Sequence, residues 1–441
     1  MRRAVEAARA AAPGWAATPF QERCTLLRAV ADGIGARHVE LAALASLETG
    51  KSRTESILEV QEAIDLIEAY AGHMEENDGY TAPLDSFVEG ERNVDVLRPY
   101  GVFGVIAPFN FPVALSIGMA SSALIAGNTV VFKPSEETPW TGAALGEVAQ
   151  GAGLPDGVFN LVHGGPDTGR ALVDADVDGI AFTGSAEVGR EIARKLQDGA
   201  YARPALTEMG GKNPAIVTAS ADLDAAAEGI ARSAFGLSGQ KCSACSRAIV
   251  EDPVYDEFVE KLAARAGEFP LGDPSEPSSF VGPVINEGSV DRYRRAVAAA
   301  ESEGRVAAGG GDPGLPGHYV EPTVVADLPH GHELEREELF LPFVTVTRVG
   351  SFDEALAEAN APVYGLTAGI FTGDEAEKER FLAEIQAGVV YLNRRAGATT
   401  GAWPGTQTFC GWKSSGSTGK GGLGSWYLPQ FMREQSRTIV G

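Results

Sequence analysis

Thiols, imidazoles and unbroken apolar runs are all scarce in this chain, and each shortage removes a class of protein. Four cysteines in 441 residues cannot build a disulfide framework, which points to a reducing, cytoplasmic environment. Six histidines, at positions 38, 73, 163, 318, 330 and 332, show no metal-ligand spacing; only His330 and His332 lie close together, in a polar loop that reads as solvated. The uncharged stretch from Pro99 to Phe132 is broken by Pro108, Asn110, Pro112, Gly118 and Gly127, well short of the ~20 continuous apolar positions of a membrane span. A buried strand, a turn, a helix and a second strand account for it better. At the N-terminus, Glu6 and Arg9 sit where a signal peptide would need an apolar core, so "MRRAVEAARAAAPGW" reads as an amphipathic helix.

Positive charge is also short: 36 Lys and Arg face 60 Asp and Glu, for a formal net charge of -24. A polyanion would be repelled unless basic residues clustered locally, and no basic stripe exists, so nucleic acid is excluded as a partner. With 44% hydrophobic and 22% charged residues the chain is an ordinary globular protein, and its length predicts two or three domains of ~150 residues. An enzyme acting on small molecules is the class that remains.

Residues 3 to 75 carry helical periodicity, for example in "ESILEVQEAIDLIEAYAGHM". "RNVDVLRPY" then alternates like an exposed strand. From there short β-rich runs ("GVFGVIA", "NTVVFKP", "GVFNLVH", "GIAFTGS", "PAIVT") alternate with helical ones, the rhythm of βαβ units on a parallel sheet. A second α/β series follows Cys242, through "SRAIVED", "FVTVTRV", "LTAGIFT" and "AGVVYLN". The tail "REQSRTIVG" reads as a further strand which, with "RNVDVLRPY", forms an edge able to pair with another subunit.

Several motifs are decoys. "GGGDPG" (Gly309 to Gly314) and "GKGGLG" (Gly419 to Gly424) fit the dinucleotide pattern, but neither is expected to follow a strand and open a helix. "GKS" at Gly50 to Ser52 lacks the upstream glycine of a phosphate loop, and Ser414 and Ser415 lack the glycines of a nucleophile elbow.

"GLSGQKCSACSR" holds Cys242 and Cys245 three positions apart. A structural zinc site needs four ligands, and Cys24 and Cys410 are isolated, which argues against metal. A redox pair, two small buried residues and one reactive thiol remain open. The small, polar, glycine-bearing setting before a strand favours the last, because backbone N–H groups there can face a developing anion and lower the thiol pKa. Asn110 in "APFNFPVAL" is a candidate oxyanion donor and Glu208 in "LTEMGGKNP" a candidate base; the plainer accounts are a turn-closing amide and a paired surface carboxylate.

Taken together, "APFNFP", "GNTVVFKPSEETP", "FTGSAEVG", "EMGGKNP", "GQKCSACSR", "EELFLP" and "YGLTAGIFT", in this order over almost the whole chain, resemble the aldehyde dehydrogenase superfamily. The resemblance implies an α/β fold: a Rossmann-type NAD-binding domain over 1–90 and 101–209, an α/β catalytic domain over 210–425, and oligomerisation strands at 91–100 and 426–441. It also implies that the chain starts within the helical region, without an N-terminal extension found in relatives. Cys242 would be the nucleophile, Asn110 with the Cys242 N–H the oxyanion site, and Glu208 the base that activates water, which speaks against coenzyme-A-acylating relatives. Contacts to NAD are implied for Lys133, Ser135, Glu136, Phe182, Gly184, Ser185, Gly189, Glu338 and Phe340; a carboxylate at 136 disfavours a 2′-phosphate and hence NADP. Glycine is usual at position 341, where Leu341 stands.

Within the superfamily the likeness is strongest to the branch that oxidises glutamate γ-semialdehyde in proline degradation. That likeness assigns the substrate's α-carboxylate to Ser243, Gly401 and Ala402, with Arg394 and Arg395 left to solvated or structural roles. "NRRAGATTGA" is longer than the usual spacing, and Cys410 replaces a common glycine. Another semialdehyde acid, a plain aliphatic aldehyde, or a non-catalytic NAD-binding protein are the competing readings. A homo-oligomer is expected, with no membrane or nucleic-acid partner.

Overall fold

A computed structural model describes residues 1–396 and 402–441. Four helices open the chain, α1 (Arg2–Ala17), α2 (Phe20–Ala36), α3 (His38–Thr49) and α4 (Arg53–Glu76), the last capped by the Ser52 side chain. There follow β1 (Thr81–Leu84), β2 (Glu91–Pro99), β3 (Val102–Ile106), α5 (Ala114–Ile125), β4 (Thr129–Lys133), α6 (Pro139–Gly151), β5 (Phe159–Leu161), α7 (Pro166–Val173), β6 (Gly179–Thr183), α8 (Ala186–Gln197) and β7 (Ala205–Glu208). β3 to β7 form an all-parallel five-stranded sheet in the order β5-β4-β3-β6-β7. β3 and β4 are buried throughout, as their unbroken Val, Ile and Phe content requires of a sheet covered on both faces. One face, with Phe103, Val105, Val130 and Phe132, packs with α2 to α6; the other, with Val102, Ile106, Val131 and Ile180, packs with α1, α7 and α8.

The second series runs β8 (Asn213–Val217), α9 (Leu223–Phe235), β9 (Cys245–Glu251), α10 (Tyr255–Glu268), α11 (Glu287–Glu303), β10 (Arg305–Ala308), β11 (Thr323–Ala326), α12 (Glu333–Arg336), β12 (Phe343–Val349), α13 (Phe352–Asn360), β13 (Tyr364–Gly365), β14 (Thr367–Phe371), α14 (Glu375–Glu384), β15 (Val389–Leu392), β16 (Trp412–Lys413) and β17 (Met432–Val440). Seven of these strands form a sheet in the order β10-β11-β12-β9-β8-β14-β15, parallel except for β10. Side chains alternate across it: Ala215, Val217, Ala248 and Val250 face α9 and α10, whereas Ile216, Ile249, Ala368 and Ile370 face α13 and α14.

β17 pairs antiparallel with β2 along all nine positions, Met432 opposite Pro99 to Val440 opposite Glu91, and β1 closes the other side of β2. The two segments read as one edge thus pair first with each other. β1 (TAPL), β7 (ALTE) and β10 (RVAA) escaped the sequence reading because none carries the run of β-branched and aromatic residues that marks a strand. "GGGDPG" follows β10 but opens no helix; it joins β10 to β11, as expected of a motif that does not bind a dinucleotide. His332 is also corrected: it lies largely buried, its Nδ1 accepts the N–H of Leu334 at the start of α12, and its Nε2 stands 3.2 Å from Glu303.

Candidate active site

In the five-stranded sheet the chain order reverses at β3, with β4 on one side and β6 on the other. Such a reversal opens a crevice beyond the carboxyl ends of the strands. The loop after β3 carries Phe109 and Asn110, the turn after β6 carries Gly184 and Ser185, and β7 ends on Glu208. The loop before β9, with Cys242, meets this rim through a hydrogen bond between Asn110 and Gln240.

The loop that presents Cys242 is tightly wound. Leu237, Ser238 and Gly239 adopt three successive left-handed conformations, φ +49°, +53° and +68°. For Leu and Ser this costs ~1–2 kcal/mol each, a strain that persists only where the surroundings hold it. Here Leu237 is buried, and Ser238 Oγ donates to the carbonyl of Gly282 at 2.7 Å. Gly239 is obligatory, because a Cβ would lie 2.0 Å from the carbonyl oxygen of Leu341. The glycine expected at 341 is not missed: the left-handed residue is Phe340, φ +58°, and Leu341 is buried in the core.

The two cysteines diverge. Cys245 opens β9 inside the core, where its thiol donates to the Arg247 carbonyl and its N–H to Ser233 Oγ. Cys242 keeps partial exposure, and both are free thiols. Asn110 is buried and comes to the same loop, its Nδ2 donating to the carbonyl of Gln240, two residues before Cys242, at 2.9 Å. A primary amide has a second N–H, so this bond positions the carboxamide without exhausting it.

The electrostatics correct one expectation. The Cys242 thiol pKa is raised, not lowered: burial pushes it up, the Glu338 and Glu208 carboxyls push further, and the N–H groups of Cys242 and Ser243 offset this only in part. Glu208 is itself held well above the usual carboxylate range by burial, against the opposing N–H of Gly411, and its Oε2 has no hydrogen-bond partner among the described residues. Gly421 packs so close that a Cβ there would stand 2.7 Å from Glu208 Oε1. Glu338 accepts the N–H of Gly211 at 2.9 Å and is pushed up to about 7 by burial, while burial brings the Lys212 ammonium, which has no hydrogen-bond partner among the described residues, down to about 7.

The residues matched to dinucleotide contacts lie along the crevice. Ser185 caps α8 by accepting the N–H of Val188. Gly184 and Gly189 interlock with neighbours: an added Cβ would lie 2.5 Å from the Phe182 ring or 2.4 Å from Met209 Sδ. Lys133, buried at the end of β4, donates to the Pro134 carbonyl and pairs with the half-exposed Glu136 at 3.3 Å; Ser135 Oγ accepts the N–H of Glu137. Phe340 meets Phe109 edge to face at 5.8 Å, which puts it beside the Asn110 loop. A close-approach glycine turn at a capped helix N-terminus fits a pyrophosphate, and the Lys133–Glu136 pair fits a ribose diol.

Ser243 is buried, its carbonyl accepting from Thr367 Oγ1. Ala402 packs against the first core, and its neighbour Trp403 donates from Nε1 to Asp65 on α4 at 2.7 Å. Gly401 lies outside the described residues. The Arg394 carbonyl lies against Gly229, and Arg395 faces Asp224, so both belong with α9. The sequence reading missed Lys51, Glu55, Glu59, Glu62 and Lys241, a charged group around the N-terminal half of α4. Glu62 is pushed up to about 8, mainly by burial and then by Glu59. Its helical spacing was visible, but charged positions on a helix ordinarily face water.

Residues 1–436 match the aldehyde dehydrogenase family. The chain is 39% identical over 438 residues to 1-pyrroline-5-carboxylate dehydrogenase of Staphylococcus saprophyticus, covering 98% of this chain and 84% of the relative. It is 39% identical over 442 residues to 1-pyrroline-5-carboxylate dehydrogenase 2 of Bacillus subtilis, covering 99% and 84%. Among solved structures, the Thermus 1-pyrroline-5-carboxylate dehydrogenase with bound NAD superposes with a TM-score of 0.95 at 35% identity, over 99% of this chain and 85% of that one. Proline utilization A from Bdellovibrio bacteriovorus superposes with a TM-score of 0.94 at 37% identity, and this chain spans 46% of that longer protein. With the match running from end to end, the chain belongs to the aldehyde dehydrogenase family.

Proposed function

We propose that this enzyme oxidises L-glutamate γ-semialdehyde, the open form of 1-pyrroline-5-carboxylate, to L-glutamate with NAD. The observation that carries the reading is the Asn110 to Gln240 hydrogen bond, which holds a buried carboxamide beside the Cys242 loop. The names of the relatives above support the substrate. The Cys242 thiolate, its proton released to water at the partly exposed sulfur, attacks the aldehyde carbon, giving a thiohemiacetal whose oxyanion meets the second N–H of Asn110 and the N–H of Cys242. Each such donor contributes ~3–4 kcal/mol to the transition state. NAD, which Gly184, Ser185, Gly189, Glu338 and Phe340 would hold, would supply the hydride acceptor for oxidation of this adduct to a thioester. Glu208 then takes a proton from the water that hydrolyses the thioester, and the carboxylate product leaves with Cys242 restored.

Ser185, Gly184 and Gly189 would take the pyrophosphate, with Phe182 backing the two glycines. Lys133, Ser135 and Glu136 would take the adenosine ribose, and Glu338 and Phe340 the nicotinamide end. The half-exposed Glu136 carboxylate supports NAD over NADP, since a 2′-phosphate would meet like charge. Ser243, Gly401 and Ala402 would hold the substrate's α-carboxylate. Residues 1–90 with 101–209 would form the NAD-binding domain and 210–425 the catalytic domain. Residues 91–100 and 426–441 would form the oligomerisation strands of a cytoplasmic homo-oligomer.

The test is a substrate panel. Purified protein is expected to show a higher kcat/KM for glutamate γ-semialdehyde than for propanal, and for NAD than for NADP. Preference for propanal would remove the substrate assignment while leaving the aldehyde chemistry.

A further inference from the structure

The catalytic reading needs Cys242 and Asn110 to keep a fixed separation, yet they sit on loops 132 positions apart in sequence. A hydrogen bond from Asn110 to Gln240 joins those loops directly. A second connection runs through the N-terminal half of α4. Glu55, in its first turn, pairs with Lys241 Nζ at 2.9 Å, and Lys241 is the residue before Cys242. Ser52, the helix cap, accepts the Glu55 N–H at 3.3 Å and stands 3.2 Å from its carboxylate, so the side chain is held at both ends.

One helical turn on, Glu59 faces the other loop. Its Oε1 accepts the N–H groups of Val113 at 2.7 Å and Ala114 at 3.2 Å, where the Asn110 loop enters α5. Its Oε2 pairs with Lys51, which is fully buried and whose ammonium lies 4.2 Å from the ring centre of Phe111, next to Asn110. Positions i and i+4 share one helix face, so the spacing of Glu55 and Glu59 sets the spacing of what they hold. Lys241 and then Lys51 hold the Glu55 carboxyl below the usual range, against the opposing effect of burial.

We propose that Glu55 and Glu59 are positioning residues: two carboxylates one turn apart on α4 that clamp the Cys242 loop through Lys241 and the Asn110 loop through Val113, Ala114 and Lys51. The clamp rests on the catalytic reading of Cys242 and Asn110 given above. It acts through geometry, and a displacement of about 1 Å between reacting groups costs on the order of 100-fold in rate.

Glu55 is the residue to test, since its ion pair is only partly buried. Removing Glu59 would strand the buried Lys51 charge and threaten the fold. Glu55→Gln and Lys241→Gln are each expected to lower kcat ~10- to 100-fold, with KM for NAD and the melting temperature near those of the parent. The double variant should be no worse than either single one. Alkylation of Cys242 by iodoacetamide, followed by intact mass, should change in rate in both single variants. The exchanged pair Glu55→Lys with Lys241→Glu should recover at least tenfold of the lost kcat. The clamp is overturned if both single variants keep kcat within twofold of the parent while Cys242→Ala is inactive. It is equally overturned if kcat falls only in step with melting temperature and the exchanged pair recovers nothing. Activity retained in Cys242→Ala would instead remove the catalytic reading on which the clamp rests.

Discussion

At the scale of single residues, the site is defined by carboxyls whose pKa values burial raises. Glu338 has its folded pKa raised from the ordinary range to about 7, chiefly by burial. The fold therefore favours the neutral acid, and that advantage, complete below the unfolded pKa, is lost as pH rises through about 7. Replacing it by Gln, which still accepts the Gly211 N–H, should raise the melting temperature more at pH 9 than at pH 5, as thermal scans at the two values would show. Glu208 is displaced in the same direction and must lose its proton to serve as a base, so turnover should climb with pH and fall away in acid. Glu208→Gln should still form the thioester and stall there, releasing a burst of about one NADH per active site in stopped flow. Asn110→Ala should lower kcat by ~100- to 1000-fold with little change in NAD affinity, measurable by steady-state kinetics.

Elements place these residues, and the loop before β9 shows how much that costs. Three left-handed residues in a row wind the chain just before Cys242, and the backbone of Leu341 closes over the third. Gly239→Ala adds ~1–2 kcal/mol for handedness alone, before the 2.0 Å approach to the Leu341 oxygen is relieved. Loss of several degrees in melting temperature together with most of the activity is expected, and a variant with parental stability would contradict the account of this loop. Regular elements were legible: β3, β4, β6 and α8 lie where their apolar rhythm and the Ser185 cap indicate. The winding at 237–239 was not, because Leu and Ser rarely adopt positive φ and nothing local announces it. Glu55 and Glu59 were hidden for the opposite reason, since a charged helical face looks solvated until another segment covers it.

On the scale of the whole molecule, β17 is almost entirely exposed in the single chain, and among the described residues no strand lies beside its far edge. A nine-residue open edge invites pairing with a second chain. Deleting residues 433–441 should reduce the assembled mass seen by light scattering, and an unchanged mass would remove the oligomerisation role proposed for this strand. What the amino-acid order settled alone was local and periodic: parallel α/β units from alternating runs, the helix cap at Ser185, and a thiol, an amide and a carboxyl as candidates. Three-dimensional packing decided the rest. It separated Cys242 from Cys245 by burying one in the core, and brought Asn110 to Gln240 across 130 positions. It also raised the pKa values of Cys242, Glu208 and Glu338. Desolvation and charge proximity depend on which segments cover a group, and those segments are distant in sequence.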